Sequence, residues 1–469
     1  MSEKTYIGVF EKIEDACEAA RVAQLELMAK HTTEERQAMI EKIKEYALAD
    51  LEKICMMEWT ETGYGRYEDK VDKNGGSFQM TPDTRDIPVQ VYSGSKGLTV
   101  DYYAPFGVVG AITPVTNPAS TIVANTICNM AVGNSLVFNP HPGGVNAAAY
   151  TVDLVNRAIV DCGGPANVCV MPAKPTMDTL DYIINYPPVR LILGTGGPAM
   201  VKTIMASGKK AICAGPGNPP SIIDSSADIK RAAYEVTMSS TFDNNILCVA
   251  EKEIFVVADV FDEFIKAMEE VGNVHLTPEQ AEKLTEMCLN KNPEGADEPY
   301  AANKKFVGKN ASVILEAAGI PVEGDPRLAF FEADNMHPFV QTEQMMPIMP
   351  IVKCDSFEQA CERAVYAEHD NKHSASCWTK DLYHATQFGK MINTTVYVMN
   401  GRTFAAFGLG GNGSNSPTIA TPTGEGPTGP QSFARKRRFC MADRQSFTIY
   451  VRYRLKLTPD LPLEIRRKL

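Results

Sequence analysis

The sequence lacks the signatures of several protein classes. Its 12 cysteines form no C-x-x-C pair; Cys162/Cys169 and Cys354/Cys361 come nearest, and six residues separate each pair. That spacing excludes zinc-ribbon and iron–sulfur patterns, and a chain of 469 residues has no need of a disulfide framework. The opening MSEKTYIGVFEKIEDACEAA carries acidic residues and no apolar stretch of signal-peptide type. Free thiols without a signal predict a reducing, cytoplasmic setting. Asp, Glu, Lys and Arg are all absent between Asp101 and Asp153, yet Pro105, Gly107, Gly110, Pro114, Pro118, Gly133, Pro140 and Gly143 break that segment repeatedly. A membrane-spanning helix needs roughly 20 unbroken apolar residues, so no span is expected. The formal charge of −11 argues against whole-chain affinity for nucleic acid or an anionic membrane.

The composition is that of a globular protein, with 44% hydrophobic and 22% charged residues, enough to bury a large core. Residues 5 to about 60 are helical by pattern, with Thr32 and Glu35 spaced as a capping box. Pro88–Tyr92 and Gly97–Tyr103 read as a two-stranded ribbon. Short β-branched runs then alternate with helical stretches: Val108–Thr113, Ser135–Phe138, Val168–Met171 and Val189–Leu193. Such alternation predicts a mostly parallel sheet covered on both faces, and the charge-free segment is its deep core. A second α/β portion begins near Ala227. Residues 401–433 are Gly- and Pro-rich and read as loop, followed by the basic Arg435–Arg438 and an alternating strand from Phe447. From Arg435 onward there are eleven Lys and Arg against three Asp and Glu, so the tail is basic and the body acidic.

No G-x-G-x-x-G follows the first strand of the α/β core. Thr195-Gly196-Gly197 lies between a strand and a helix, where backbone N–H groups meet a phosphate or simply make a turn. Cys248 closes Phe242-Asp-Asn-Asn-Ile-Leu-Cys at a helix-to-strand junction; taken alone it is either an accessible nucleophile or a small buried hydrophobe. Asn117, before Pro118, reads as an oxyanion donor or as a helix N-cap.

Together and in this order, these segments resemble the aldehyde dehydrogenase superfamily, and within it the CoA-acylating aldehyde dehydrogenases of bacterial microcompartments. The resemblance runs from the N-terminal helices to about residue 440. It implies two doubly wound α/β domains and a β-ribbon oligomerisation arm. The expected division is 1–87 with 105–237 for dinucleotide binding, 238–440 for catalysis, and 88–104 with 441–469 as arm and tail. Pro105–Pro118 is similar to the segment bearing the oxyanion asparagine, which puts that role on Asn117, and Phe242–Cys248 resembles the segment ending in the nucleophile. Glu343, in Glu-Gln-Met-Met-Pro, matches the glutamate that holds the nicotinamide ribose, and Thr195, Gly196 and Gly197 match the turn facing the pyrophosphate. The remaining cofactor contacts implied are Thr113, Pro114, Asn139, His141 and Gly215; no metal is implied.

Two departures carry information. Hydrolytic members have a glutamate where this chain has Ala214, in Ala-Gly-Pro-Gly-Asn-Pro-Pro, and without it an acyl-enzyme waits for a thiol rather than water. Asn139 stands where a lysine usually meets the adenosine ribose, which leaves NAD against NADP open. The implied activity is oxidation of acetaldehyde or propionaldehyde to acyl-CoA through a Cys248 thioester, with NAD and coenzyme A. A succinate-semialdehyde CoA-acylating enzyme, a hydrolytic aldehyde dehydrogenase and a non-catalytic scaffold are the alternatives. His373 is expected as a solvent-facing loop residue, with service as a base the lesser option. A homodimer or homotetramer is implied, in the cytoplasm or inside a microcompartment shell, with no nucleic acid or membrane partner.

Overall fold

The computed structural model describes residues 6–296 and 299–442. Val108–Thr113 and Ser135–Pro140 are buried at every position, the mark of parallel strands covered on both faces. They lie in a six-stranded parallel sheet ordered Val9–Phe10, Cys169–Pro172, Ser135–Pro140, Val108–Thr113, Val189–Thr195, Lys210–Ala214. The strand order reverses between Val108–Thr113 and Val189–Thr195, so their carboxyl ends flank a topological switch point, the usual ligand crevice of such sheets.

The helix Pro118–Val132 explains the missing charges. All of its residues are buried, Pro118 sets the φ of its first turn, and Gly133 ends it at φ 91°. A side chain at Gly133 is strained by that backbone, and the flexible Met28, whose sulfur lies 2.1 Å from where a Cβ would sit, would have to move aside. Each fully buried Ile or Val on this helix contributes about 1.5–3 kcal/mol, whereas a charge there would have no partner.

The N-terminal region is helical as expected over Ile13–Lys30, Thr33–Ala49 and Leu51–Thr62, and the Thr32/Glu35 capping box forms; a further helix, Tyr67–Met80, lies beyond the expected stretch. The short strand Val9–Phe10, absent from the expectation, pairs with Met171–Pro172 at the edge of the first sheet.

The second sheet has seven parallel strands ordered Val274–His275, Ala329–Ala333, Ile348–Cys354, Glu253–Val257, Pro220–Ile223, Ser374–Trp378, Val396–Met399. The expected boundary at residue 237 therefore moves. Pro220–Ile223 hydrogen-bonds to Glu253–Val256 and Ser376–Trp378, so the chain leaves the first sheet after Ala214.

The ribbon is three-stranded and antiparallel, Gln90–Gly94, Gly97–Pro105 and Ala434–Ala442. The third strand starts at Ala434, before the arm's expected start at 441, and at its centre Arg438 meets the nearly buried Asp101. Arg438 donates to both Asp101 oxygens at 2.6 and 2.8 Å, and the Lys436 ammonium lies 3.7 Å away. This guanidinium holds the Asp101 carboxyl below the usual range. The strand expected from Phe447 lies outside the described residues. Among the described residues no helix is long and apolar enough to cross a membrane, and no His, Cys, Asp and Glu cluster to hold a metal.

Candidate active site

A cavity of about 150 Å³ opens beside the switch point, and Pro114, Asn117, Thr195, Ala214 and Cys248 all line it. Four separate sequence segments thus meet at one place. Opposite them, Phe404, Phe407, Leu409 and Ile419 supply an apolar wall. Sequence reasoning read that stretch only as loop, since Gly and Pro hide the sparse apolar residues that matter.

Cys248 is carried by an unusual backbone. Asp243, Asn244 and Asn245 all adopt left-handed φ angles, 51°, 55° and 63°. Asp and Asn tolerate this conformation better than other residues, yet three in a row need fixing from outside. The fixing is extensive. Asp243 Oδ1 accepts from the Arg66 N–H at 3.0 Å, and the Asp243 N–H donates to Asp69 at 3.0 Å. Asn244 donates to the Gly308 carbonyl at 3.0 Å and accepts from Arg66 Nε at 3.0 Å. On the other side, buried Lys252 donates to the carbonyls of Asn245 at 3.0 Å and Leu247 at 2.9 Å.

Burial pushes the Cys248 thiol up to about 12, with the Glu343 charge adding to the effect, while Lys252 and the N–H groups of Cys248 and Val249 oppose it. The sulfur in this state is a neutral thiol. Glu343 does not line the cavity, but Gln344 fastens its segment beside the nucleophile by donating to the Lys252 carbonyl at 2.8 Å.

Asn117 precedes the helix Pro118–Val132, yet its side chain makes no cap bond, so the N-cap alternative is set aside. Its Nδ2 donates to Thr116 Oγ1 at 3.2 Å, and its Oδ1 accepts from the Lys73 ammonium at 2.5 Å. The helix start is held instead by buried Glu58, which accepts from the Ala119 N–H at 2.9 Å. Neither Lys73 nor Glu58 carried a sequence signal, because both sit on an ordinary-looking amphipathic stretch.

The expected cofactor residues fall into two groups. At the switch point the Thr113 hydroxyl is buried without a hydrogen-bond partner, and Gly197, at the start of the helix Pro198–Met205, has open space where a Cβ would stand. Gly196 lies beside it, its N–H 3.4 Å from the Ala214 carbonyl. An orphaned hydroxyl, a side-chain-free turn and a helix N-terminus suit an adenine dinucleotide. Asn139 and His141, by contrast, are committed locally. Asn139 accepts from Thr179 at 2.7 Å and donates to Thr176 at 3.3 Å, while His141 Nδ1 accepts from the Gly143 N–H at 3.0 Å. Gly215 is a close-packing position, with Pro422 2.9 Å from a would-be Cβ.

His373 departs from expectation. It is fully buried rather than solvent-facing, because it leads directly into the interior strand Ser374–Trp378 and its N–H is held by Glu368 at 2.8 Å. Burial and the nearby Lys252 charge lower its pKa to about 4, so the ring is neutral, and its Nε2 has no partner.

This geometry has known relatives. The profile of the aldehyde dehydrogenase family matches residues 5–415. Acetaldehyde dehydrogenase (acetylating) EutE of Salmonella typhimurium is 38% identical over 93% of this chain and 93% of its own length. The chain belongs to the aldehyde dehydrogenase family. Its fold matches a propionaldehyde dehydrogenase from the fucose-utilisation microcompartment of Clostridium phytofermentans with a TM-score of 0.90 at 40% identity, covering 93% of this chain and 99% of that one. A Rhodopseudomonas palustris propionaldehyde dehydrogenase with bound CoA and an acylated cysteine matches at 0.89 and 40%, covering 93% and 98%. The expected architecture of two doubly wound α/β sheets with a β-ribbon is that of these enzymes.

Proposed function

We propose that this family member oxidises a short aliphatic aldehyde, acetaldehyde or propionaldehyde, to its acyl-CoA with NAD or NADP, through a thioester on Cys248. One observation carries the reading. The lining that brings Cys248 and Asn117 together contains no Asp, Glu or His, and Ala214 presents only a methyl group to it. A thiol and an amide suffice to form a thioester, but nothing in the lining readies water to break it.

The Cys248 sulfur, once deprotonated, bonds to the aldehyde carbon, and the oxygen takes the negative charge. The Asn117 amide and the Cys248 main-chain N–H are the donors assigned to that oxygen. A bound nicotinamide dinucleotide supplies the acceptor for the hydride that leaves the carbon as the thioester forms. Thr113, Thr195, Gly196 and Gly197 are the residues assigned to hold it, with Glu343 at its ribose. Coenzyme A then bonds to the acyl carbon through its sulfur, and Cys248 departs as thiolate. His373, neutral and with an unpartnered Nε2, lies outside that lining, and this reading assigns it to the proton of the Cys248 or CoA thiol and not to water. The ring packs on Gly217, and the Cys248 carbonyl reaches the same glycine.

The test is a panel of aldehydes with and without CoA, reading reduced cofactor and thioester together. Turnover at equal rates in both arms, with free acid as product, overturns the reading in favour of hydrolysis.

The ribbon is assigned to self-association as a homodimer or homotetramer. Val91, Tyr92, Phe439 and Met441 are exposed on it, which supports a covering partner. Light scattering of a chain ending at Phe433 tests this; an unchanged mass overturns it. Residence within a microcompartment is read from the origin of the Clostridium phytofermentans relative. Co-expression with shell proteins, followed by co-sedimentation, tests it.

A further inference from the structure

The Asn117 side chain faces a choice that its own chemistry does not settle. An amide has two donors on Nδ2 and an acceptor at Oδ1, and a half-turn exchanges them at almost no steric cost. Only the Nδ2 face stabilises an oxyanion; the Oδ1 face repels it. An ammonium group has donors alone, so a lysine placed against the amide selects one orientation.

Lys73 is so placed. Its Nζ donates to Asn117 Oδ1 at 2.5 Å, and the lysine lines the same cavity. With one Nδ2 hydrogen spent on Thr116, the other is left for the cavity. The ammonium also polarises the amide it binds, which strengthens the remaining donor. Burial works against a charged amine here, but Asp243 and Glu58 overrule it and hold the Lys73 pKa above the ordinary lysine value.

The second partner of Lys73 makes the arrangement more than a local contact. The same Nζ donates to Asp243 Oδ2, which also accepts from Lys70 at 3.1 Å. Asp243 begins the left-handed run that leads to Cys248. A single ammonium therefore bridges the turn before the nucleophile and the amide across the cavity, and it comes from a third segment, the helix Tyr67–Met80. We infer that Lys73 is a positioning residue that orients the Asn117 amide toward the oxyanion and sets its distance from the Cys248 loop. The inference rests on Asn117 being the oxyanion donor.

The test uses the full-length enzyme with saturating NAD and CoA, and compares Lys73→Met, Asn117→Ala and the double variant. Removing one oxyanion donor lowers kcat by about 10²–10³-fold. Asn117→Ala is expected in that range, and Lys73→Met about 30-fold down, with KM for the aldehyde within about twofold of the parent in both. The double variant is expected to fall no further than Asn117→Ala. Lys73→Met leaves Asp243 paired with Lys70; should it still fail to fold, Lys73→Gln, which keeps a donor for Asp243 but offers Asn117 either end of its amide, is measured in its place. Normal kcat in Asn117→Ala overturns the oxyanion reading itself. Impaired Asn117→Ala beside a folded Lys73→Met of normal kcat overturns only the inference about Lys73. Additive losses in the double variant also overturn it, since Lys73 would then act elsewhere.

Discussion

Ala214 and Cys248 line one cavity, and where Cys248 offers a thiol, Ala214 offers a methyl group. The strand Lys210–Ala214 ends there, so any longer side chain at 214 enters the same space. Ala214→Glu should therefore create a hydrolytic activity. A positioned general base contributes about 10²–10⁴-fold, and a roughly placed one is expected to raise CoA-independent aldehyde oxidation at least about tenfold. Free acid and reduced cofactor, assayed without CoA, check this; no rise in acid would mean that water does not reach the thioester.

The half-buried thiol predicts a pH dependence. Cys248 stands at about 12 in the absence of bound partners, raised by burial and the Glu343 charge. The raised value favours the protonated form, so the reactive thiolate becomes more abundant as pH rises. Alkylation of Cys248 by iodoacetamide should climb about tenfold per pH unit from 7 to 9 with no plateau, followed by mass spectrometry of its peptide. A plateau near neutrality would show a thiolate already formed. Cys248→Ala should lower acyl-CoA formation at least about 10³-fold at an unchanged melting temperature.

His373 gives a separable prediction. If its neutral ring takes a thiol proton, His373→Asn lowers kcat about 10²-fold or more at pH 7, and the loss shrinks as pH rises and hydroxide replaces the base. The pH profile of kcat for both proteins checks this. A loss constant across pH would mark a packing role against Gly217.

Glu368 ties that histidine to stability. Burial raises its carboxyl to about 7, against the N–H groups of His373 and Lys372, which lower it. A carboxyl that holds its proton more tightly when folded stabilises fully below its unfolded value of 4.5, and that contribution is lost as pH rises through 7. At pH 8 the buried charge costs about 3 kcal/mol. Glu368→Gln keeps the acceptor for the His373 N–H without the charge, and urea unfolding at pH 8 should show it more stable, with the difference vanishing below about pH 4.

Much of this was legible in the residues, and the failures have causes. The parallel strands around Val109 and Leu136 show as short β-branched runs between Gly and Pro because both their faces are buried. Cys248, Asn117 and Ala214 stand out only because neighbouring motifs fix their order along the chain. What stayed hidden depends on distance in space. Lys73 and Glu58 lie on helices whose charged residues look solvated, and nothing local says that they turn inward to Asn117 and Ala119. His373 was misplaced for the opposite reason. His369-Asp-Asn-Lys has the composition of an exposed turn, and three of its four residues do take left-handed φ, but the chain enters the sheet one residue later. The boundary near Ala214 was missed because Pro220–Ile223 is too short to announce which sheet it joins.

The left-handed run before Cys248 is held by Arg66, Asp69, Lys70 and Lys73, all contributed by the amino-terminal half. Gly308 and Lys252 hold the same run from the other half. The turn thus takes its shape only after two stretches some 170 residues apart have packed together, so the local form around this sulfur reports on long-range folding.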